Sequence, residues 1–75
     1  MNLGDGIKLL RKNKNLSARG LSIECGLSPS YVNKVENGEL SPSFFAFSKL
    51  ALVLEMTTQE IIFLIVEESK KQKEK

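Results

Sequence analysis

Seventy-five residues, 41% of them apolar, suffice for one domain near the lower size at which a single core holds without staples, and a second copy would strengthen it. The single cysteine, Cys25, excludes an internal disulfide, no C-x-x-C pair offers a zinc site, and no apolar run nears the roughly 18–20 residues that span a bilayer. With no apolar leader at the start and a net charge of only +2, the expectation is a soluble cytoplasmic protein with no membrane partner, and charge alone assigns no nucleic acid.

Five short helices are predicted, with no strand and no internal repeat. Leu3, Ile7 and Leu10 recur at helical spacing, so residues 3–14 form an amphipathic helix that ends in the polar stretch Lys12-Asn13-Lys14-Asn15. Ser17 caps a second helix whose Leu21 and Cys25 share one face, and Gly26 stops it. Ser28 caps a third helix, with Pro29 at its first position and Leu27 and Val32 able to form a hydrophobic staple. Val32 and Val35 of this helix face the core, and Asn37-Gly38 ends it. The fourth helix runs from Ser43 to Leu54, or begins at Pro42 capped by Ser41, and Phe44, Phe47, Leu50, Ala51 and Leu54 are its expected inward stripe. The fifth opens with the capping-box pattern Thr57-Thr58-Gln59-Glu60 and continues through six apolar residues, Ile61 to Val66. Residues 1–68 are read as the folded domain and 69–75 as a charged, fraying tail.

Charge is segregated along the chain. Residues 1–35 hold six Lys or Arg against two acids, whereas residues 36–66 hold one lysine against four glutamates. One basic end suits a protein that shows a face to phosphate. The second and third helices, joined around Gly26-Leu27, make a helix-turn-helix. In such a pair the second helix fills the major groove and the first crosses the sugar-phosphate backbone.

Residues 3–64 resemble the Cro/C1-type repressor family, also called the xenobiotic-response-element family. The resemblance rests on Ile7-x-x-Leu10-Arg11, Leu16-Ser17, Cys25-Gly26-Leu27-Ser28, Ser30-Tyr31-Val32-x-x-Val35-Glu36-Asn37-Gly38, Pro42-Ser43 and Leu50-Ala51-x-x-Leu54. It implies an all-α, five-helix, lambda-repressor-like DNA-binding domain, similar in size and in its apolar fifth helix to small phage repressors and restriction–modification controller proteins. It implies that Ser30, Asn33 and Lys34 read bases, with Pro29 offering an apolar contact. Ser17, Arg19, Ser28, Tyr31, Asn37 and Ser41 would touch phosphates, and Arg11 would pair with Glu36 to fix the recognition helix. Two positions depart from the family pattern: Ala18 stands where a phosphate-gripping Gln is usual, and Gly20 where a glutamate would complete a capping box.

Phe45 and Leu52 fall at positions commonly polar in the family, and a domain of this length cannot cover every side of the fifth helix. Ile61, Leu64 and Ile65 form one stripe able to seal the core, while Ile62 and Val66 form another. Phe45, Leu52, Ile62, Phe63, Ile65 and Val66 are therefore the expected interface of a homodimer. Cys25 reads as a small core hydrophobe rather than a redox sensor. Gly4-Asp5-Gly6 lacks the third glycine and the strand of a dinucleotide fingerprint, and Lys70-Lys71-Gln72-Lys73 reads as a solvated face. With no histidine, metal cluster, nucleophile elbow or phosphate loop, neither catalysis nor a cofactor nor a small-molecule effector is expected. The reading is a dimeric, sequence-specific regulator on near-palindromic duplex DNA. The alternative is a helix-turn-helix interaction module, an anti-repressor or antitoxin, with weak DNA binding or none.

Overall fold

The computed structural model describes residues 2–73, with side chains to Lys70, and they form five helices and no strand: α1 (Leu3–Asn13), α2 (Ala18–Cys25), α3 (Pro29–Glu36), α4 (Phe44–Val53) and α5 (Thr58–Lys73). Short polar side chains start them all. Asn2, Ser17, Ser28 and Ser43 each accept a backbone N–H three residues on, so Ser43 rather than Ser41 caps α4. Thr57 and Glu60 close a reciprocal capping box, with Glu60 N–H donating to Thr57 Oγ1 at 3.1 Å and Thr57 N–H to Glu60 Oε1 at 2.8 Å.

Helices α1 to α4 end alike, through a residue with positive φ that turns the chain: Asn15 at 60°, Gly26 at 70°, Gly38 at 79° and Glu55 at 55°. At each, the next residue's N–H reaches back to a carbonyl five residues earlier, as from Leu27 to Ser22 at 2.9 Å and from Met56 to Ala51 at 3.0 Å. Glycine enters this region without steric cost. Glu55 does not, and holds it while its carboxylate accepts a 2.8 Å bond from Lys14.

The core joins Leu3 and Ile7 of α1, Leu21 and Cys25 of α2, Val32 and Val35 of α3, Leu50 of α4 with Leu54 beyond it, and Leu64 of α5. Beneath α3, the buried Arg11 and Glu36 form a two-pronged pair, Nε to Oε2 at 2.7 Å and Nη2 to Oε1 at 3.0 Å. The third prong of Arg11 donates to the Leu16 carbonyl at 2.8 Å. One side chain thus ties α1, the loop before α2 and the end of α3. The glycines near the start of α1 allow close approach. A Cβ at Gly4 would stand 2.5 Å from the Val35 carbonyl oxygen, and one at Gly6 would meet Leu64 Cδ2 at 2.6 Å.

Two expectations change. Phe44 points outward, 82% exposed, and Ala46 takes the buried place beside Leu50 and Leu54. The reason is rotation: stepping by three residues drifts about 60° around a helix each time, so a stripe of 44, 47 and 50 leaves the core within two steps. Ile65 is likewise outward, since it lies about 100° from the buried Leu64. The α5 helix takes in Ser69 to Lys73 of the charged tail, while Glu74 and Lys75 fall outside the described residues.

Candidate nucleic-acid interface

The pair α2 and α3 meets through Leu21, Cys25, Val32 and Val35. Gly26 supplies the turn between them, and Leu27 tucks against the core to fix the angle. Ser22, fully buried, is satisfied locally by donating to the Arg19 carbonyl at 2.6 Å. Nothing in the sequence pattern distinguishes that serine from a surface one. Cys25 is buried, and burial raises its thiol pKa, helped by Glu24 and opposed by Lys49.

On α3 the division of labour follows the 3.6-residue period. Val32, Val35 and Glu36 turn inward, while Pro29, Ser30, Asn33, Lys34 and Asn37 are exposed and fall within an arc of about 140°. This is a continuous polar ridge on a helix whose back is locked into the core. Lys34 and Arg19 make no ion pair among the described residues, unlike Lys14, held by Glu55 at 2.8 Å, and Lys70, 3.5 Å from Glu67.

Around the ridge lie short polar groups. Ser17 Oγ accepts from Gly20 N–H at 2.9 Å and Ser28 Oγ from Tyr31 N–H at 3.1 Å, so each hydroxyl is oriented with its own hydrogen left to give. Tyr31 is half-buried, and its hydroxyl accepts from Ser43 N–H at 3.0 Å, joining the recognition helix to the first turn of α4. Ser41 is exposed in the loop after α3 and donates to the Glu68 carboxylate of α5. Ala18 is half-buried against the core, and its methyl offers no hydrogen bond at the start of α2.

A second surface is apolar. Phe45 and Leu52 are 76% and 79% exposed, and Ile62, Phe63, Ile65 and Val66 are exposed on α5. Phe44 and Phe45 touch edge to face, with ring centroids 6.0 Å apart. Between α4 and α5 runs an open groove lined by Phe44, Phe47, Leu52, Met56, Ile61 and Ile65. Among the described residues there is no metal-ligand cluster, and no helix is long and apolar enough to cross a membrane.

A trihelical core presenting a polar helix beyond a glycine turn defines a helix-turn-helix, a scaffold for binding duplex DNA. Residues 7–61 match the helix-turn-helix family model. The chain belongs to that family, the DNA-binding transcriptional regulators of Cro/C1 type. It is 37% identical over 60 residues to the HTH-type transcriptional regulator SlrR of Bacillus subtilis (strain 168), covering 79% of this chain and 40% of that one. The chain therefore spans about two-fifths of the length of that curated relative. Its backbone is similar to the restriction-modification controller protein C.AhdI from Aeromonas hydrophila, with a TM-score of 0.73 and 36% identity, over 77% of this chain and 88% of the other. The family is one of regulators rather than enzymes.

Proposed function

We propose that the protein is a dimeric regulator of transcription that binds a near-palindromic operator in the cytoplasm, as a repressor or a controller. The carrying observation is the exposed ridge of α3, polar from Ser30 onward and held from behind by Val32, Val35 and the Arg11–Glu36 pair. Ser30, Asn33 and Lys34 read base edges, since lysine suits guanine O6 and N7 and asparagine pairs in two-pronged fashion with adenine. Pro29 adds an apolar contact. Ser17, Arg19, Ser28, Tyr31, Asn37 and Ser41 hold phosphates, Ser17 and Ser28 by donating the hydroxyl hydrogens that capping leaves unused.

Residues 1–68 serve as the binding and dimerisation unit, with 69–75 as a charged extension. The two-fold contact is built from Phe45, Leu52, Ile62, Phe63, Ile65 and Val66. Phe44, Phe45 and Leu52 of α4 stay exposed, apolar surface that the other four helices leave uncovered. A two-fold axis there would set the recognition helices about 34–36 Å apart, one turn of B-DNA. No cofactor or small-molecule effector enters this reading.

The test combines mass and salt. The wild-type chain sediments as a dimer at micromolar concentration, and its log K for a duplex with two half-sites falls linearly with log salt. Charged residues at Ile62 and Val66 give a monomer that binds the same duplex far more weakly. A wild-type monomer, or a charged variant that dimerises and binds as before, removes α5 from the interface. A flat salt dependence would favour the interaction-module reading over the DNA-binding one.

A further inference from the structure

Ser41 has two suitors. Its hydroxyl sits in the loop immediately after α3, exposed on the edge of the proposed DNA face, and is already given to the Glu68 carboxylate. Glu68 reaches it because α5 extends beyond the apolar run. In that turn, positions four residues from the buried Leu64 still face the protein. Leu3, Pro42, Phe47 and Ile65 make the walls of the pocket on whose rim Ser41 and Glu68 meet.

We infer that Glu68 is an affinity-limiting residue, an internal carboxylate that occupies the Ser41 hydroxyl in place of a DNA phosphate. The inference rests on the reading of Ser41 as a phosphate contact. A hydroxyl has one hydrogen to donate, so a phosphate can take it only by displacing the carboxylate. The displaced carboxylate then remains within a few ångströms of a like charge. Both effects oppose binding, and neither depends on base sequence, because the phosphate backbone is uniform.

The experiment measures duplex affinity against salt for the full chain, for Glu68→Gln, for Ser41→Ala and for the double variant. Glu68→Gln is expected to bind about tenfold tighter per half-site at low salt: about fivefold is the scale of one like-charge contact about 4 Å apart in water, and the weaker hold of an uncharged amide on Ser41 adds about twofold. The gain appears on operator and random duplex alike, and shrinks as salt shortens the screening length. In the Ser41→Ala background it falls to about fivefold or less, because only the repulsion is left to remove. Glu68→Lys, which cannot accept from Ser41, is expected to gain more than Glu68→Gln. No gain in Glu68→Gln, or an equal gain with and without Ser41, overturns the inference. A wild-type chain whose affinity ignores salt overturns the DNA-binding reading itself, a distinct result.

Discussion

Replacing Glu36 by alanine tests how the recognition helix is held. The carboxylate is buried, and it accepts two bonds from a guanidinium that is itself buried, at 2.7 and 3.0 Å. Removing it leaves Arg11 charged, out of water and bonded only to the Leu16 carbonyl. An uncompensated buried charge of this kind costs about 3–5 kcal/mol. A chain of 75 residues has a total stability of about 4–11 kcal/mol, so the variant should lie close to unfolding. With a urea dependence of about 1 kcal/mol per molar, the midpoint followed by circular dichroism should fall by about 3–5 M. The paired replacement Arg11→Met with Glu36→Leu removes both charges and fills the space, and should recover most of the loss. A midpoint drop below about 1 M for Glu36→Ala, or a double variant as unstable as the single one, would refute the account, because desolvation would then not govern the pair.

Other outcomes follow from particular residues. Gly4→Ala should destabilise by about 1–2 kcal/mol in spite of its better helix propensity, because the new Cβ meets backbone oxygens that cannot move aside. Gly6→Ala should cost less in the same urea titration, since it meets the end of the Leu64 side chain. Glu55→Gly should raise the melting temperature by about 2–4 °C by relieving the positive φ, with little lost from the exposed contact to Lys14. Cys25 should react with a thiol reagent at neutral pH far more slowly in the folded chain than in urea, because burial disfavours its thiolate. In DNA binding, Lys34→Ala should lose about 1–3 kcal/mol on the operator and relax preference at one base pair, whereas Arg19→Ala should weaken all sequences alike and flatten the salt slope by about one unit.

Much of the molecule was legible because its signals are local. Ser17, Ser28 and the Thr57–Glu60 box start helices through bonds spanning three residues, and Gly26 and Gly38 end them by reaching a backbone region that other residues avoid. The polar ridge of α3 and its Val32–Val35 back follow from helical period, whereas the outward placing of Phe45 and Leu52 was reached through positions commonly polar in the family. The Arg11–Glu36 contact spans 25 positions and was reached through family resemblance, not through pattern.

Tertiary structure decided what depends on rotation and close approach. A stripe drawn through Phe44 failed because steps of three drift around the helix, and with apolar residues on several sides of α4 the fit against its neighbours selects Ala46 and Leu50, with Leu54 beyond, as the buried set. The glycines at positions 4 and 6 gave no chemical signal, yet they let α1 press against the carbonyls of α3 and the side chain of Leu64. Glu55 adopts a glycine-like conformation that no local preference favours, and the meeting of Ser41 with Glu68 joins residues 27 positions apart. Caps and helical faces are encoded within one or two turns of chain. Which side of a largely apolar helix goes inward, and which polar groups meet across the fold, is set by the fit of the whole, where backbone separation leaves room for one side chain and not another.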